Sequence, residues 1–212
     1  MKKYLVEFIG TFFLVMGAEM YGAVGASLAL MVMIYAGGHI SGAHYNPAVT
    51  LAVWIRGKAT LNDAIPYWIA QVLGAVVASL LVSSVFSKTG SGECLVNSDG
   101  FVKALIAEIL GTFALAYVVL NVATTKGTEG NSFYGLAIAG TVLAMAITLG
   151  SFSGGAFNPA VAIGLCIQKS FCWQQIWIYL VGCSGGGALA GVVFNFINKD
   201  DTAAPPIPDA GK

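Results

Sequence analysis

Two copies of Asn-Pro-Ala stand in this chain, Asn46-Pro47-Ala48 and Asn158-Pro159-Ala160. Asparagine is a favoured helix N-cap, proline suits the first helical position because its missing N–H is not needed there, and alanine continues a helix well. The triplet is a helix start, and a single copy would be an ordinary cap. Each copy, however, follows a glycine-rich approach, Ser41-Gly42-Ala43-His44-Tyr45 in one and Ser153-Gly154-Gly155-Ala156-Phe157 in the other. Each also opens an apolar stretch, 47–55 and 159–168, about half as long as a membrane crossing requires. The chemistry open to such a pair is hydrogen bonding without reaction. Asn46 and Asn158 offer amide donors, while Gly38, Gly42, Gly154 and Gly155 let the approaches run extended, with carbonyls of Gly42, Ala43, His44, Ser153 and Gly154 as a row of acceptors. The positive ends of the two half-helices, each worth about half a unit charge, oppose cations where they meet.

The elements that must position these groups are read from composition and repetition. Of 212 residues 57% are hydrophobic and 9% charged, too apolar for a soluble domain of this length. Spanning helices are expected at about 4–20, 22–38, 64–86, 102–123, 133–151 and 174–197, in one domain over 1–198 with a polar tail, 199–212, left unpacked. The segment Glu7-Phe8-Ile9-Gly10-Thr11-Phe12 returns as Glu108-Ile109-Leu110-Gly111-Thr112-Phe113. The chain is therefore a duplication, with halves at about 1–88 and 101–198. Three crossings per half invert the second copy, so the two Asn-Pro-Ala starts approach from opposite faces. The architecture expected is all-α: six transmembrane helices and two re-entrant half-helices in an inverted repeat.

Ten basic and ten acidic residues leave no field for gathering nucleic acid. With both termini inside, the inner segments hold Lys2, Lys3, Arg56, Lys58, Lys126, Lys199 and Lys212 against Lys88, Lys103 and Lys169 outside, which favours cytoplasmic termini in a plasma (inner) membrane. No nucleophile–base pair, metal-ligand cluster or phosphate loop points to an enzyme, a metal or a cofactor. Cys94, Cys166, Cys172 and Cys183 are expected as small apolar fillers. The first helix lacks a cleavage pattern and is expected to be retained.

Taken together, the paired triplets, Gly38-His39-Ile40-Ser41-Gly42, Gln71 with Gly74, and Gly186-Gly187-Ala188-Leu189 resemble the aquaporin or major intrinsic protein family from about Glu7 to Phe196. The resemblance implies a homotetramer in lipid, one pore per subunit, passing water and small neutral solutes. Exclusion of ions by half-helix dipoles is a general account of such pores. It also implies that Glu7 and Glu108 brace the re-entrant loops, and that His39 and His44 lie near the inner vestibule, His44 supporting its loop.

At the narrowest point the sequence departs from the family. An aromatic residue, a histidine or glycine, a small residue and an arginine are usual there; counting from the asparagines, the places fall on Ala26, Ala146, Gly155 and Val161. A wider mouth with looser selectivity follows, and ammonia, urea or glycerol become alternatives beside water. Ala162 stands where glycerol channels carry aspartate, and Tyr179 is nearer the water pattern, whereas Leu180 fits that pattern poorly. A structural or adhesive membrane protein of the same fold is the remaining alternative. Glu7 to Asn46 is 39 positions and Glu108 to Asn158 is 50, so the first half is expected to lack an outer loop and some of the adjoining helix ends. Glu19 is expected at that turn as a solvated loop residue, able at most to draw cations to the mouth.

Overall fold

A computed structural model describes residues 1–202. Among the described residues five long helices are apolar enough to cross a bilayer, and the first is long enough for two crossings. This helix, α1 (Lys2–Ser41), has 40 residues, about 60 Å of helix, where a crossing needs about 30 Å. It breaks at Tyr21 (φ −137°, ψ 17°) and Gly22 (φ 60°, ψ −143°), and the second conformation is one that glycine alone adopts readily. Arms 2–20 and 23–41 fold back on each other. The carbonyl of Gly25 fills the place where a side chain on Gly17 would begin, and Gly17 does the same to Gly25. In a straight helix residues eight apart stand about 12 Å from each other, so this contact requires a reversal. With α3 (Leu61–Ser84), α4 (Phe101–Ala123), α5 (Tyr134–Ser153) and α7 (Ile176–Ile197), six crossings result. The two half-helices are α2 (Pro47–Ile55) and α6 (Pro159–Ile167).

The inverted duplication is visible in matched packing. Gly74 of α3 lets that helix close on the Phe8 carbonyl of α1, and Gly186 of α7 closes in the same way on the Ile109 carbonyl of α4. Small residues permit such approach where lipid offers no hydrophobic drive. Glu7 corresponds to Glu108, 101 positions on, and Ser41 to Ser153, 112 positions on. Most of the difference falls between the paired crossings: α4 and α5 are joined by residues 124–133, where α1 has only its break at Tyr21 and Gly22. The first half has lost most of a connection, ten residues reduced to two, and the other three positions from the helix ends that flank it.

Three expectations are corrected. Cys94 and Cys172 are not fillers but a disulfide, Cα to Cα 5.0 Å across 78 positions, while Cys166 and Cys183 are buried thiols. Both bonded cysteines lie in connections on the face opposite the termini, 85–100 and 168–175. Those connections are also joined by Gly90 N–H to the Gln168 carbonyl (2.9 Å) and Gly92 N–H to the Lys169 carbonyl (2.7 Å). Glu19 is buried instead of solvated, because the sharp turn leaves no loop for it. It accepts from the Ser79 hydroxyl and faces Gly164 of α6. Of the expected unpacked tail, Lys199–Thr202 forms a helical turn, and Asp201 pairs with the buried Arg56 (2.9 Å). Residues 203–212 lie outside the described residues.

Candidate functional site

The two half-helices begin where the sequence puts their caps. Asn46 accepts from Ala48 N–H (2.9 Å), and Asn158 accepts from Ala160 N–H (2.9 Å) and Val161 N–H (3.4 Å). With its carbonyl oxygen used for capping, each side chain turns its amide across to the opposite loop. Asn46 Nδ2 donates to the Phe157 carbonyl and Asn158 Nδ2 to the Tyr45 carbonyl, both at 2.9 Å. Phe157 and Tyr45 are the residues immediately before the partner asparagine, so the two caps converge. An amide carries two N–H donors. One is committed to this exchange and the second remains for the cavity that both asparagines line.

Holding the approaches in place requires a stiff anchor, because Tyr45 (φ 49°) and Phe157 (φ 47°) stand in the left-handed region, which costs a non-glycine residue about 1 kcal/mol or more. Glu7 supplies it in one half. Its carboxylate accepts from Ser41 Oγ (2.7 Å), His44 N–H (3.0 Å), Tyr45 N–H (2.7 Å) and Gln71 Nε2 (2.8 Å). Glu108 repeats the pattern with Ser153 Oγ (2.7 Å), Ala156 N–H (3.0 Å), Phe157 N–H (2.7 Å) and Cys183 Sγ (3.3 Å). Among the described residues neither carboxylate is in an ion pair. A buried carboxylate has about four acceptor sites, and here all are used.

Two cavities meet at this crossing. One of about 250 Å³ lies toward the face opposite the termini and is bounded by Ala26, Ala146, Gly155 and Val161 together with Asn46 and Asn158. The other, of about 820 Å³, opens on the termini face past His39, Gly42, Lys58 and Lys126. Ala43, Val119 and Ile138 border both, so the cavities abut. Ala43, His44 and Gly154 line the first and Gly42 the second. Ser153 stands apart from the other expected carbonyls: its oxygen accepts from Tyr179 Oη (2.6 Å), as Ser41 accepts from Tyr67 Oη (2.7 Å). His44 supports its loop through Nδ1 to Thr50 Oγ1 (3.1 Å) while its ring borders the cavity.

Sequence reasoning missed Gln71 as a ligand of Glu7, the disulfide, and Phe171, whose ring borders the first cavity. The signal for the disulfide was present. Cys94 and Cys172 are the two cysteines outside the apolar spans, and the expected topology puts both on one face.

A pore through an inverted pair of half-helices defines a class of membrane channel. The family model for Major intrinsic protein matches residues 16–194, and the chain belongs to that family. It is 37% identical to glycerol uptake facilitator protein-like 6 of Lactiplantibacillus plantarum, over 95% of this chain and 100% of that one. It is 41% identical to aquaporin TIP2-3 of Arabidopsis thaliana, over 81% of this chain and 69% of the relative. An aquaglyceroporin structure from Plasmodium falciparum shares the fold, with a TM-score of 0.70 at 20% identity over 96% of this chain and 99% of that one.

Proposed function

We propose that this chain is a passive channel for water, with small uncharged solutes following the same path. The observation that carries the reading is the mutual donation of Asn46 and Asn158, which commits one amide N–H of each and leaves a second donor on two residues that line the cavity between opposed helix N-termini. A molecule passing there meets two donors while the helix ends repel cations. The relatives, named as aquaporins and as a glycerol uptake facilitator, agree with it.

Ala26, Ala146, Gly155 and Val161 line the path at the places where the family narrows, and Glu7 and Glu108 brace the two re-entrant loops. With no arginine at Val161, ion exclusion falls to the asparagines and the half-helix dipoles. The functional unit is the single domain 1–198, assembled as a homotetramer in the plasma (inner) membrane. Cytoplasmic termini are supported by the disulfide on the opposite face, since such bonds persist in oxidising compartments.

Stopped-flow light scattering on proteoliposomes tests the reading. Osmotic water flux should exceed the lipid background, and urea or glycerol should enter as well. Val161→Arg should depress solute entry by about tenfold, a barrier raised by about 1.4 kcal/mol, with water affected less. Water passing while ammonia, urea and glycerol are all rejected would overturn the wide mouth.

A further inference from the structure

We infer that Phe171, rather than the four constriction positions, sets the size limit of the outer mouth; this rests on the conduction path proposed above. Alanine, alanine, glycine and valine bring little bulk into the cavity. Phe171 is the one phenylalanine, tyrosine or tryptophan among the residues that border it. A bore is limited by the bulkiest wall, provided that wall does not move.

Phe171 is held on the sides away from the cavity. Its N–H donates back to the Leu165 carbonyl at the end of α6 (3.0 Å). The ring stacks on Tyr179 at 4.5 Å between centroids and 20° between planes, and Tyr179 is itself fixed by its hydroxyl on Ser153 (2.6 Å). Gly154, at φ 91°, admits the ring by having no side chain: a β-carbon there would stand 2.7 Å from Phe171 and 3.1 Å from Leu95. The next residue, Cys172, is bonded to Cys94, and Val96 N–H donates to Gln175 Oε1 (3.3 Å). The ring is thereby tied to the 85–100 connection as well as to α7. The residue is buried, at 5% exposure.

Reconstituted Phe171→Ala, Phe171→Trp and Phe171→Tyr are compared with wild type for water, glycerol and the bulkier neutral polyol xylitol. The xylitol-to-water permeability ratio should rise about tenfold in Phe171→Ala, as for a steric barrier lowered by about 1.4 kcal/mol. It should fall in Phe171→Trp and return to the wild-type value in Phe171→Tyr. Cys94→Ser with Cys172→Ser should raise the ratio with the ring still present, because the wall is then free to yield. A merely structural role would lower every permeability together and leave the ratio alone. An unchanged ratio in both Phe171→Ala and Phe171→Trp, in vesicles that still pass water above the lipid background, overturns the inference. Wild-type vesicles swelling at the lipid rate would instead defeat the conduction reading, and this inference with it.

Discussion

The ring of Phe157 occupies the space where a side chain on Gly111 would begin, and Tyr45 stands in the same relation to Gly10. Both rings belong to residues whose carbonyls receive the opposite asparagine, so a shift of either ring moves an atom of the crossing. Gly111→Ala should therefore destabilise the protein by about 1–3 kcal/mol through overpacking and reduce water flux. Gly140→Ala, where a side chain meets open space, is the control. Thermal denaturation in detergent reads the first effect, and equal melting of the two variants would contradict it.

Replacing Glu7 or Glu108 by glutamine turns one carboxylate oxygen into a donor facing other donors. Each bond to a charged group contributes about 1.5–3 kcal/mol, so both variants should lose stability and water permeability by similar amounts. The similarity follows from the matched distances in the two halves. A large loss from one variant and none from the other would show that the halves do not share a brace.

Glu19 is buried against Ser79 and Gly164 and does not border the cavity. Glu19→Gln retains a partner for the Ser79 hydroxyl. Water and cation fluxes should stay within about twofold of wild type, a barrier change of about 0.4 kcal/mol. Altered cation leak in vesicles would restore a role for this carboxylate at the mouth.

Arg56 is the centre of the termini face. Its guanidinium lies over the Phe194 ring at 4.8 Å, approaches Thr124 at 3.4 Å and pairs with Asp201 at 2.9 Å. Asp201→Ala leaves a buried charge without its counterion, at a cost of about 3 kcal/mol. Since Asp201 also accepts from Lys126 N–H (3.3 Å), protease cleavage within 124–131 should quicken. Unchanged cleavage and unchanged melting would remove Arg56 from this role.

The half-helices were legible in the sequence because a cap, a proline and a short apolar run are local signals, and residues 47–55 come out as expected. The inverted repeat was legible because identical motifs recur. What escaped was set by three-dimensional proximity. Gln71 reaches Glu7 across 64 positions and Gln175 reaches Val96 across 79, with no periodicity to announce either pair. Glu19 escaped for a related reason: the shortened spacing puts it at an outer turn, where a solvated side chain is the expectation, whereas the chain reverses within Tyr21 and Gly22 and keeps Glu19 inside the helical stem.

That reversal also divides the duplication into an equal part and an unequal part. Within the lipid the halves are counterparts, and a water molecule leaving the crossing in either direction departs from the same pair of amides. Toward the termini it enters a basin walled by 124–131; on the other side the chain reverses at Gly22 with no loop to raise a wall, beside a cross-linked rampart at 85–100. Traffic through the channel is thus symmetric at its waist and lopsided at its shores.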